Sequence, residues 1–170
     1  MKQLTTIVLL FSSLIVFAQK EISPSTEFVI TGQVQRELKF TLADLEKLEA
    51  KKIDDVVVTN HLGEKKGTAK DLKGIQLKGL LDKIEFKTES PKVLSEFYLT
   101  FIATDNYKVV YSWNEIFNTA TGDHIYLITE KEGKKLSEMN ERILVITPSD
   151  FKTGRRNIKG LTKIVVSRAE

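Results

Sequence analysis

The chain has 170 residues, 41% of them hydrophobic and 29% charged, which is enough for one domain with its own core and places it among ordinary globular proteins. It contains no cysteine, so a disulfide framework, thiolate catalysis and thiolate metal ligation are all excluded, and stability must come from packing. A formal net charge of +3 gives no electrostatic case for general nucleic-acid or membrane-surface binding, so any basic site must be local.

The opening segment, "MKQLTTIVLLFSSLIVFAQK", carries Lys2, an apolar run from Leu4 to Phe17, and small residues at Val16 and Ala18. It is the pattern of a secretory signal spanning 1–18, cleaved after Ala18, so a periplasmic or secreted protein is expected. The run is shorter than the roughly 20 residues that span a bilayer, so stable membrane insertion is not expected. Cleavage would remove Lys2 and lower the net charge by one. Residues 19–26 are expected to form an N-terminal tail, and 27–170 a single domain.

Along that domain, "EFVITGQV" alternates Phe28 and Ile30 on one face and reads as a strand closed by Gly32. "TLADLEKLEAKK" starts with Thr41 and Asp44 at capping spacing, and Leu42, Leu45 and Leu48 share one face of an expected helix. "DDVVVTNH" is β-branched and reads as a buried strand, and "LGEKKGTAK" as a turn. "IQLKGLLDKIEF" sets Leu77, Leu80, Leu81 and Ile84 at helical spacing. "EFYLTFIATDNYKVVYSW" predicts a hairpin turning at Asp105–Asn106, followed by a short helix, "WNEIFN", capped by Ser112 and Glu115. "HIYLITEK", "RILVIT" and "LTKIVVS" complete about seven strands and three short helices. Helices do not alternate with strands, so the expected class is α+β, a single mixed-sheet domain.

Chemistry-bearing patterns are few. His61 and His124 are far apart, with no metal-ligand spacing. Nucleophile elbows, Walker loops and dinucleotide fingerprints are absent. Asp54 and Asp55 are adjacent, so in a strand their side chains face opposite ways. The strongest local feature is "TPSDFKTGRRNIKG", where Lys152, Arg155, Arg156 and Lys159 gather among glycines just past a buried strand. It reads as an anion cradle, with arginine forks and open backbone N–H groups, as a solvated basic loop, or as cations paired to the acids of "LSEMNE".

Taken in order, several segments resemble the oxidoreductase molybdopterin-binding domain, the cofactor domain of sulfite oxidases and their relatives. "ITGQVQRELKFTLADLEKL" is similar to the family's opening strand and leucine-rich helix, and "GIQLKGLLDKI" to its "G-V-P-L-R-D-L-L" helix. "ATDNYKVVYSWNEI" and "ILVITPSDFKTGRRNIKGLTKIVV" are similar to two later family blocks, so the likeness spans nearly all of 28–166. It implies the sulfite oxidase type of mixed-sheet fold, and it makes the basic loop part of a pocket for a pyranopterin and its phosphate. On this alignment Arg156 and Lys159 take the places of the family's Arg and Lys, with Arg155 beside them, and Arg142 lies near a further family arginine. His61 stands where the family's molybdenum-binding cysteine would be, and Glu64–Lys65 replaces its usual Asn-Arg.

An imidazole in place of a thiolate changes both charge and donor softness at a metal. The expectation is therefore an exported sulfite oxidase-like chain without a standard molybdenum centre. It would bind an anionic small molecule, a pterin or a redox partner protein through His61, Arg142, Arg155, Arg156 and Lys159, with no catalytic residue of its own. The alternatives are a molybdopterin-dependent oxidoreductase ligated atypically at His61, and an accessory subunit of a periplasmic redox complex.

Overall fold

The computed structural model describes residues 23–170; the expected signal segment lies outside them. In chain order the first half comprises β1 (Glu27–Gly32), β2 (Leu38–Thr41), α1 (Leu42–Glu46), β3 (Lys51–Ile53), β4 (Val56–Thr59), β5 (Lys65–Ala69), β6 (Leu72–Gln76) and α2 (Lys78–Leu81). The second half comprises β7 (Phe97–Ala103), β8 (Lys108–Ser112), α3 (Trp113–Phe117), β9 (Tyr126–Lys131), β10 (Lys134–Lys135), β11 (Leu144–Ile146) and β12 (Leu161–Arg168). Short 3-10 turns link several of them, including one at Thr153–Arg156.

Two sheets of five strands share the core. The first runs β2-β1-β12-β7-β8, and only the β1–β12 pairing within it is parallel. The second runs β10-β9-β6-β3, with β11 also paired to β9. A separate hairpin, β4–β5, stands beside them. Alternation sets which side chains meet: β7 buries Phe97, Leu99, Phe101 and Ala103, and β12 brings Leu161, Ile164 and Val166 to the same core. Phe101 meets the edge of Tyr111 at 5.0 Å between ring centroids.

The β7–β8 hairpin turns where expected. Asn106 takes the left-handed φ of +67°, a conformation Asn tolerates better than most, and Asp105 Oδ1 accepts from the Tyr107 N–H at 2.9 Å. Both expected capping boxes form, Thr41 with Asp44 and Ser112 with Glu115.

The helical share is smaller than expected: the domain keeps mixed sheets but is mostly β, with twelve strands among the described residues and α-helices of only four or five residues. "TLADLEKLEAKK" stops being helical after Glu46, and its end becomes β3 against β6. "LGEKKGTAK" contains β5, the partner of β4. The leucines of "IQLKGLLDKIEF" are buried as their spacing requires, but a single helical turn suffices to bury them once β6 has carried the chain across the second sheet. Strand pairing outcompetes helix propensity because helices this short cannot stand by themselves.

The described part of the N-terminal tail is docked. The buried Ser25 hydroxyl donates to the Arg142 carbonyl at 3.0 Å and accepts from the Ile143 N–H at 3.2 Å.

Candidate functional site

The basic loop leaves β11 at Thr147 and returns to the first sheet at β12. Its 3-10 turn lies along the open edge of β4. The Thr153 hydroxyl donates to the Val57 carbonyl at 2.6 Å and accepts from the Thr59 N–H at 3.1 Å, so one side chain serves as the neighbour that β4 lacks on this edge. Gly154 makes the approach tight enough: a Cβ there would sit 1.8 Å from the Thr59 carbonyl oxygen. No other residue fits without moving the loop.

This seating places Arg155 over the β4–β5 turn, where its Nη2 donates to the His61 carbonyl at 3.1 Å. Tyr107 Oη donates to the Arg155 carbonyl at 2.7 Å and ties the loop to the β7–β8 hairpin. The β4–β5 turn is built by Asn60, whose Oδ1 accepts from the Leu62 and Glu64 N–H groups, both at 3.0 Å, while its Nδ2 donates to the Glu64 carboxylate at 2.7 Å. Gly63 completes the turn with a φ of +97°, packed against the Lys152 stem. His61 itself is exposed on this turn.

Arg156 faces the other way. Its Nε donates to Asp150 Oδ2 at 2.6 Å, Nη2 donates to the second Asp150 oxygen, and Nη1 donates to Glu115 Oε1 at 2.9 Å. The guanidinium also lies 4.7 Å over the Tyr111 ring. Its bonds to Asp150 outweigh desolvation and hold it charged. Glu115 is occupied on both oxygens, since Oε2 accepts from the Ser112 N–H in the capping box. Beneath the guanidinium, Tyr111 Oη shares a 2.8 Å hydrogen bond with Thr147 Oγ1, and burial pushes its pKa up to about 12. Three of the five Arg156 N–H groups are thus committed to two carboxylates, whose combined charge exceeds its own. A phosphate would be repelled there.

Lys159 and Arg142 lie apart from that cluster. Burial pushes the Glu141 carboxyl up, but its bond from Lys131, its own backbone N–H and the field of Lys159 more than offset this and hold it below the usual range. Arg142 Nη1 donates to the Ser137 carbonyl at 2.5 Å, and its buried Nε has no hydrogen-bond partner among the described residues. Of the candidates, then, the fold brings His61 and Arg155 into contact, locks Arg156 internally, and leaves Lys159 and Arg142 elsewhere. The residues that sequence reasoning missed are Asp150, Tyr111 and Thr153. Glu115 was visible as a helix cap, but nothing in the chain's order signals its second oxygen's use.

Beside the loop are two hollows of about 550 and 740 Å³ that share His124, Asp150 and Phe151 in their walls. His124 Nδ1 donates to the Ala120 carbonyl at 2.8 Å, which leaves Nε2 as the acceptor of the neutral ring. Among the described residues no group of three or more His, Cys, Asp or Glu side chains is arranged to hold a metal ion, and no helix is long and apolar enough to cross a membrane. The residues also do not fit the molybdopterin that the sequence resemblance implies. The position that the resemblance gives to the thiolate holds an exposed histidine, and the arginine that it assigns to the phosphate is already bound to two acids.

No family model matches the chain, and no curated protein matches it. Among solved structures, the crystal structure of the sulfane dehydrogenase SoxCD from Paracoccus pantotrophus is similar, with a TM-score of 0.64 at 14% identity over 86% of this chain. The chain spans only 40% of the length of that protein's chain. At this identity the likeness shows the fold alone: most of this chain is built on the same framework as part of that dehydrogenase.

Proposed function

We propose that this protein is a non-catalytic binding module on a sulfite oxidase-like fold, exported from the cell, which docks an anionic small molecule or the acidic face of a partner protein. The observation that carries the reading is the Asp150–Arg156–Glu115 clamp: an internal pair of acids occupies the cation that would otherwise meet a cofactor phosphate. What remains outward is Arg155 and Lys152 beside the fully exposed Phe151, with Leu62 exposed on the adjoining turn. Cations around exposed apolar side chains favour a docking surface over a reaction centre.

Metal analysis of the protein purified from its native host tests the reading directly. The expected result is no stoichiometric molybdenum; a full equivalent, with oxo-transfer turnover, would establish the oxidoreductase instead. Crosslinking in that host should capture a partner in the native protein and lose it in an Arg155→Glu, Phe151→Ser variant. Amino-terminal sequencing of the same preparation should begin at Gln19.

A further inference from the structure

Phe151 is common to both hollows beside the loop, and its ring is fully exposed. The two hollows carry opposite charge. Lys52, Asp54 and Asp55 line only the one of about 550 Å³, whereas Lys152 and Arg155 line only the one of about 740 Å³. Asp150 and Arg156 neutralise each other, so the first keeps two carboxylates against one ammonium and the second keeps two cations. Asp54, Asp55, Lys152 and Arg155 are all exposed, and none of them forms an ion pair among the described residues.

Apolar surface gathers at the same place. Of the five large apolar side chains exposed among the described residues, Val57, Leu62, Tyr107 and Phe151 lie on the loop or on the strands and turns bonded to it. Single exposed apolar residues are ordinary, but a gathered group marks an interaction surface.

What covers this face follows from its pattern. It offers a projecting ring and, beside the ring, a hollow walled by Val57, Tyr126 and Pro148. That hollow exceeds the roughly 150 Å³ that admits benzene, so a phenyl side chain fits. Ring and hollow share one face, with acids in one half and cations in the other, and such a patch complements itself across a two-fold axis. A uniformly acidic partner would meet Lys152 and Arg155 but be repelled by Asp54 and Asp55. A second copy satisfies both halves.

We propose that the partner at this face is a second copy of the chain, paired about a two-fold axis beside Phe151. Each copy's Phe151 enters the acidic hollow of the other, Lys152 and Arg155 meet the other's Asp54 and Asp55, and the pairing closes at two. This rests on the docking surface proposed above and names its occupant.

Sedimentation equilibrium of the protein from its native host is the test. At about 200 μM in ~0.05 M salt it should be dimeric, and about 0.5 M salt should weaken pairing several-fold by screening exposed charges. Phe151→Ser, at a fully exposed ring, should weaken pairing about 30-fold. Asp54→Lys with Asp55→Lys, and Lys152→Glu with Arg155→Glu, should each give a monomer, because like charges then face each other across the axis. An equimolar mixture of these two variants should recover a dimer containing one copy of each. If a charge variant fails to fold by near-ultraviolet circular dichroism, Phe151→Ser still decides the matter. A monomer at every concentration, a dimer indifferent to Phe151→Ser, or a mixture of folded charge variants that stays monomeric would each overturn the proposal. Those outcomes leave the docking reading standing, since capture of a different protein in the host would survive them. Stoichiometric molybdenum with oxo-transfer turnover would remove that reading whatever the oligomeric state.

Discussion

Arg156 shows how a residue that looks like a ligand donor can be structural. It is four-fifths buried, bonded to Asp150 and Glu115 and stacked on Tyr111, so removing its charge leaves two acids facing each other out of full solvent contact. Arg156→Met should therefore cost about 2–3 kcal/mol in urea denaturation at neutral pH. An anion-binding arginine in a solvated loop would change stability by only about 0.5 kcal/mol or less. Tyr111 supplies a second, pH-dependent signature. Its folded pKa, up to about 12, lies above the value of 10.0 for a free phenol, so the folded state retains the proton longer. Its contribution is fully present below pH 10 and is lost as pH rises toward 12. Tyr111→Phe should remove that alkaline loss in a denaturation series. Glu141 acts at the acid end: its lowered pKa adds stability above the ordinary carboxylate range, and that stability is lost as pH falls through the folded value.

Among the elements, the β4–β5 hairpin depends most on a single side chain. An isolated two-stranded hairpin is marginal in water, and this one is held on its outer edge by the Thr153 hydroxyl, bonded to both Val57 and Thr59. Thr153→Val preserves shape and removes both bonds. It should cost about 1–2 kcal/mol and speed hydrogen exchange at the Thr59 amide, with little change at β7 or β12 amides. Unaltered exchange at Thr59 would mean that packing alone seats the hairpin. The short helices follow the same logic. The capping boxes at Thr41 and Ser112 set where α1 and α3 begin, and burial of Leu45 and Ile116 keeps them folded.

For the whole molecule, the last strand is the keystone. β12 lies between β1 and β7, so the first sheet cannot close until the C-terminal residues arrive. A chain truncated after Gly160 should fail to fold, measured as loss of cooperative unfolding and of near-ultraviolet circular dichroism, even though everything from β1 to β11 remains. Pairings this distant in sequence also predict slow folding for a chain of this length.

The alternation of Phe28 and Ile30, the β7–β8 hairpin, both helix caps and the mixed-sheet character were legible in the chain, because each depends on neighbours a few residues away. The β5 and β3 strands were not. Most of their residues are polar or charged, and they become strands only because β4 and β6 lie alongside them. The same holds for the site. Sequence alone located a basic loop and the missing thiolate, since composition and order suffice for both. Which cations face outward and which are spoken for was decided by tertiary structure: the carboxylates that capture Arg156 come from another helix and from a bend in the loop, and only the closed sheets bring them within hydrogen-bonding distance.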